Sequence, residues 1–144
     1  MAKLTKSRQA QTVLAQEYVF SFGDTVTDVN GADKDFKTFG GDPVFETFTL
    51  PQGAVVLGGD VIVETAYVGP TAATLSLGDS ASATKYANAV NLLAAGRTAL
   101  TVPAAVTGGL DARGALTLTV ANATAGKVRV RIEYTIEGRG NEIA

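Results

Sequence analysis

A chain of 144 residues, 46% hydrophobic and 18% charged with a net charge of −2, has the size of one ordinary domain and buries roughly 68 to 70% of the surface that its unfolded form exposes. It contains no cysteine and no histidine, which removes disulfides, thiolate nucleophiles and thiolate metal sites along with the commonest general base and zinc ligand. The small negative charge argues against a general nucleic-acid binder, and no run approaches the roughly 18 uninterrupted apolar residues of a membrane-spanning helix.

The opening MAKLTKSRQA is polar and basic, carrying Lys3, Lys6 and Arg8 but no apolar core of signal-peptide length. It predicts an extended arm over 1–10, mobile unless something outside the domain holds it. A single β-sandwich domain is expected over 11–144, made and used in a reducing cytoplasm. The first strand is expected from near Gln11, with Leu14, Tyr18, Phe20 and Phe22 on one face and Gln16 interrupting them. Gly23 then opens a long Asp- and Gly-rich loop to Asp42, with a short hairpin around Asn30 and Gly31.

Strand signals resume with PVFETFTL at 43–50, a short segment at 53–57, and the β-branched GDVIVETAYV at 59–68, which ends at Gly69-Pro70. TAATLSL at 71–77, RTALTV at 97–102 and ALTLTVA at 115–121 alternate apolar and polar residues. The last strand lies in GKVRVRIEYTIEGR, where Val128, Val130, Ile132, Tyr134 and Ile136 alternate with Arg129, Arg131, Glu133 and Thr135. About eight strands predict an all-β, jelly-roll-like antiparallel sandwich of two sheets. Near 81–95 one short helix or a long loop is expected: Tyr86, Val90 and Leu93 fit helical spacing between Ser82 and Gly96 as caps, although Tyr86, Val90 and Leu92 also fit a strand.

No chemical motif stands out. Ser82-Ala-Thr-Lys85 matches S-x-x-K, but the partner motifs S-D-N and K-T-G are absent. Asp24, Asp28, Asp33, Asp35 and Asp42 offer oxygen ligands, but counting from Asp28 puts Phe39 where an EF-hand needs glutamate. The same aspartates serve as turn formers. Glu64 with Glu46, or Glu133 with Glu137, are paired carboxylates with nothing to favour a glycosidase over exposed strand positions. A sugar-binding sandwich would present stacking platforms, and there is no Trp. Asn122-Ala-Thr124 reads as a hairpin loop.

Charge is uneven along the chain: residues 17–79 carry ten acidic against two basic side chains, and residues 85–139 carry seven basic against three acidic. Distant strands interleave in a sandwich, so this asymmetry need not persist in space. Lys127, Arg129 and Arg131 on the wet face of the last strand have Glu133 and Glu137 beside them and no aromatic partners, which favours a mixed-charge sheet surface over a nucleic-acid site.

The succession AYVGPTAATLSLGDSASATKY, AAGRTALTVP and ALTLTVANATAGKVRVRIEYTIEGR, over roughly residues 50–139, resembles the small structural proteins encoded with tailed-bacteriophage capsids, particularly the jelly-roll cement or decoration proteins. The resemblance implies a protein without an active site or cofactor, located on the virion capsid surface after assembly in the host cytoplasm. It would bind the major capsid protein and itself, with a dimer favoured over a trimer, and join neighbouring shell subunits against internal DNA pressure. Weak contacts repeated over several subunits add up to strong attachment. Candidate protein contacts are Lys3, Lys6 and Arg8 on the arm and Asp24, Asp28, Asp33, Asp35 and Asp42 in the loop. A tail or fibre component, a carbohydrate-binding module and a carboxylate-only hydrolase are the alternatives.

Overall fold

The computed structural model describes residues 13–51, 53–101 and 111–136. Ten strands form over this range: β1 Leu14–Ser21, β2 Thr25–Thr27, β3 Asp33–Asp35, β4 Val44–Phe48, β5 Ala54–Val68, β6 Ala72–Gly78, β7 Ala87–Asn91, β8 Gly96–Ala99, β9 Ala112–Thr119 and β10 Ala125–Ile136. Two four-stranded antiparallel sheets, ordered β1-β10-β5-β8 and β4-β9-β6-β7, make the sandwich, and β2 and β3 form a separate small hairpin. The expected all-β, jelly-roll-like architecture is present, and the hairpin turns at Asn30-Gly31 as the dipeptide predicts.

Alternation explains the layers. Val128, Val130, Ile132 and Tyr134 are buried and Ile136 is half-buried, so the apolar face of the last strand lines the core as expected. Between the sheets Phe20 stacks on Phe36 with centroids 4.4 Å apart, and Phe45 meets Phe36 edge-on at 5.0 Å. Gly114 makes room for this cluster: a Cβ there would stand 2.7 Å from the Phe45 ring. Gln16, the polar interruption in β1, bridges the layers at the rim, donating to the Thr49 carbonyl at 2.7 Å and to the Tyr134 hydroxyl at 3.0 Å.

Three expectations are corrected. The segments at 53–57 and 59–68 are one fifteen-residue strand, β5. Gly59 carries it past β10 with φ +146°, where a Cβ would lie 2.1 Å from the Arg131 carbonyl oxygen. The helix near 81–95 does not form. Tyr86 and Leu92 donate backbone bonds to Leu77 and Ala73, and β7 pairs with β6. Leu92 rather than Leu93 is buried together with Tyr86 and Val90, as the strand spacing allows, and β7 carries a bulge where the register shifts between Leu75 and Leu77 and Ala89 takes φ +49°. The loop at Asn122-Ala-Thr124 is not a hairpin, since β9 pairs within one sheet and β10 within the other.

Candidate protein-contact site

The pairing register fixes which ends of the molecule meet. β1 runs antiparallel to β10, with Leu14 beside Tyr134 and Ser21 beside Lys127. The chain therefore enters the sandwich at one end, and the Asp-rich loop that follows β1 sits at the other. Backbone bonds knit that far end together: Ala123 donates to Lys37, Thr124 to Val68, Phe22 to Gly126 and Phe36 to Asp24.

Of the predicted contact residues, Lys3, Lys6 and Arg8 lie outside the described residues. The five aspartates lie in the segment between β1 and β4, and among the described residues no group of three or more side chains is arranged to hold a metal ion. Asp28 is buried. Its Oδ1 accepts from the Asn30 and Ala32 amides at 2.9 and 3.0 Å, and its Oδ2 pairs with Lys34 at 3.2 Å. The Ala32 amide leads in holding its carboxyl below the ordinary value of 3.8, with Lys34 assisting. Partial burial raises the Asp35 pKa, but the Thr38 amide and hydroxyl and the Lys37 amide outweigh it and leave that carboxyl lowered too. Asp24 accepts from the Ser21 amide and Asp33 from the Thr27 hydroxyl, yet both remain exposed, as does Asp42.

Of two charged groupings, the first was read in part as the mixed-charge face of Lys127, Arg129, Arg131 and Glu133, where Arg131 pairs with Glu133 at 3.4 Å, and the second went unread. On the outer face of the first sheet, Asp60 is 1% exposed. Its Oδ2 lies 2.6 Å from Arg97 Nε and 3.8 Å from Arg131, while its Oδ1 accepts no hydrogen bond. Beside it Glu64 pairs with Arg129 at 2.9 Å and Lys127 at 3.4 Å, and Arg129 also reaches Glu17 at 3.7 Å. The strand order β1-β10-β5-β8 thus sets acidic, basic, acidic and basic stripes side by side, and the uneven charge along the sequence becomes pairing in space. The Nε atoms of Arg129 and Arg131 are buried without an acceptor. The second grouping is Asp79, whose Oδ1 caps the Ala81 and Ser82 amides and whose Oδ2 holds Lys85 at 3.0 Å. Burial pushes its pKa up, and Lys85 with the two amides more than reverses this. A lone Asp within GDVIVE and a Leu-Gly-Asp turn were the available signals.

Of the residues that suggested catalysis, Lys85 faces Asp79, Glu64 and Glu46 belong to different sheets, and Glu133 pairs with Arg131 at 3.4 Å, while Glu137 lies outside the described residues. Burial raises the Tyr18 and Tyr67 hydroxyl pKa values, with the Asp24 charge adding to both.

Exposed apolar side chains occur toward both ends: Phe39 between β3 and β4, Val68 at the end of β5 and Val120 between β9 and β10 toward one, and Val13, Leu14 and Leu57 toward the other. The Phe39 amide donates to Asn122 Oδ1 at 3.1 Å, Val68 accepts from Thr124, and Val120 lies two residues before Asn122. Val120 adopts φ +77°, a conformation that β-branched residues rarely take.

No family model matches the chain, and no curated protein matches it in sequence. Several solved structures share its fold. A chain in the capsid asymmetric unit of cyanophage Pam1 is 24% identical with a TM-score of 0.60, over 94% of this chain and 94% of that one. A chain in the acid-stable capsid of Helicobacter pylori bacteriophage KHP30 is 15% identical with a TM-score of 0.59, over 89% and 90%. One in the capsid of Ralstonia phage GP4 is 18% identical with a TM-score of 0.54, over 96% and 91%. The sandwich is therefore a fold found nearly end to end in chains of three phage capsids.

Proposed function

We propose that this chain is a structural protein of a tailed-phage head that binds the outer surface of the assembled shell and cements neighbouring major capsid subunits. The observation that carries the reading is the near-complete fold match to chains within phage capsids. Consistent with a role in binding, the lysines and carboxylates described above are engaged in turns and ion pairs rather than gathered around a cleft. Cementing asks only for modest contact at each copy, because later contacts to the same shell are effectively intramolecular. The contacts assigned to it are the basic arm, through Lys3, Lys6 and Arg8, and the Asp-rich end, through the exposed Asp24, Asp33 and Asp42. Asp28 and Asp35 shape the loop that presents them.

The test is co-sedimentation with expanded empty capsids. The full chain is expected to pellet with them and to raise their disruption temperature, and deletion of residues 1–10 should weaken binding while the circular dichroism spectrum of the sandwich is kept. Absence of co-sedimentation at every salt concentration tried would overturn the reading.

A further inference from the structure

Four strands end the two sheets, β1 and β8 in one and β4 and β7 in the other. Three of these edges carry devices that discourage further pairing. β8 has only four residues with Arg97 among them, β4 has a register shift and Pro43 just before it, and β7 is bulged with Ala89 at φ +49°. β1 has none of these. Its eight residues pair with β10 in unbroken register, contain no proline, lysine or arginine, and leave Leu14 and Val19 exposed, with exposed Val13 just ahead. The Phe22 amide continues the ladder onto Gly126, so even-numbered residues turn their backbone groups toward β10 and odd-numbered ones turn theirs away. Ser21 agrees: its amide and carbonyl face outward, where the Asp24 carboxylate and amide take them up. The outward amides and carbonyls of Ala15, Glu17 and Val19 have no partner among the described residues.

We propose that two copies of this chain join edge to edge through β1, antiparallel about a twofold axis at Gln16, so that their first sheets run on as one. A second copy is the fitting occupant because the strand complements itself. Opposite residues of an antiparallel pair share a face, and the registers differ in what they bring together. Centred on Glu17, two carboxylates stand directly opposite each other, which is destabilising. Centred on Tyr18 or Val19, the strand sets Ala15 or Glu17 against Ser21, whose groups Asp24 already holds. Registers centred before Gln16 carry Val19 past the described strand. Centred on Gln16, Ala15 of each copy exchanges both backbone bonds with the partner's Glu17. The exposed Val13 then falls on the partner's exposed Val19, and Leu14 on the partner's half-buried Tyr18. The same patch is used by both copies, so the pairing closes as a dimer. It forms between isolated chains and goes beyond shell binding: either can fail without the other.

The test is sedimentation equilibrium of the full chain, which should dimerise reversibly. Ala15→Pro removes an outward amide that bonds to nothing in a single copy, so the circular dichroism spectrum should be kept while the dimer weakens about tenfold or more. A chain that stays monomeric, or a dimer that Ala15→Pro leaves unchanged in a folded chain, would overturn the proposal. Crosslinking reads the register without the proline. The sequence has no cysteine, and the axis at Gln16 sets the Cα of Ala15 about 5.5 Å from that of the partner's Glu17, within disulfide reach. Oxidising a mixture of Ala15→Cys and Glu17→Cys copies should give the mixed disulfide. Homodisulfides in its place, or no disulfide at all, count against the pairing.

Discussion

The outer face of the first sheet and the turns of the loops use their carboxylates in opposite ways. Asp28, Asp35 and Asp79 are satisfied within six residues of themselves, by backbone amides of their own turns and by Lys34, Lys37, Thr38 or Lys85. Asp60 and Glu64 on β5 depend on Arg97, Lys127, Arg129 and Arg131, all more than thirty residues away. A local turn forms as soon as its few residues meet, whereas a cross-strand pair exists only once two distant strands share a register. The difference separates charge that shapes the chain from charge that reports its completed fold.

Removing the distant partners should have the largest effect. Arg97→Ala with Arg131→Ala strands Asp60, nearly fully buried, without a cation, and urea unfolding should show a loss of about 3 kcal/mol. If the loss is below about 1 kcal/mol, the sheet face is as inert as an ordinary exposed surface. Next in size is Asp79→Ala, which takes the acceptor from two amides and from Lys85. About 1–2 kcal/mol is expected by the same measurement, with the fold otherwise unchanged.

Acid should divide the two regions more finely. The carboxyls of Asp28, Asp35 and Asp79 are lowered, so their contribution is fully present above the ordinary value of 3.8 and is lost as pH falls through their folded values. Stability should therefore drop steeply below about pH 4, and Asp79→Asn should flatten that slope relative to the parent. An unchanged slope would mean that Asp79 is not held ionised by its turn. The smallest effect is expected from Glu64→Gln. Its ion pairs are partly exposed, so the cost should be under about 1 kcal/mol and should shrink further in 1 M salt, while that of Asp79→Ala persists.

The same division decided what could be read in the sequence. The two-residue alternation in VRVRIEYTI located the last strand and its core face, and the Asn30-Gly31 dipeptide located the small hairpin, because both signals lie within a few residues. Gly58-Gly59 looked like a break because glycine usually ends a strand; here Gly59 is needed where β5 crosses close to the Arg131 backbone. The segment from Ser82 to Gly96 fitted a helix only through Leu93, which is half-buried, whereas the buried Leu92 keeps the strand spacing with Tyr86 and Val90. Asp60 was unreadable as a buried charge, since its burial depends on β8 and β10 closing around it. The Asp-rich loop was visible as turn chemistry, but its bonds to Asn122 and Ala123 depend on a connection that sheet topology alone brings beside it.

The antiparallel pairing of β1 with β10 also gives the sandwich a mechanical direction. Tension applied between residues 14 and 134 would open the strand pair from one end, one backbone hydrogen bond after another, like a zip. Tension that enters at residue 14 and leaves through β10 at residue 125, at the opposite end, instead loads all eight residue pairs of the strand in shear at once. A shell under internal pressure that pulled through arm and far end would load this molecule along its stiff axis.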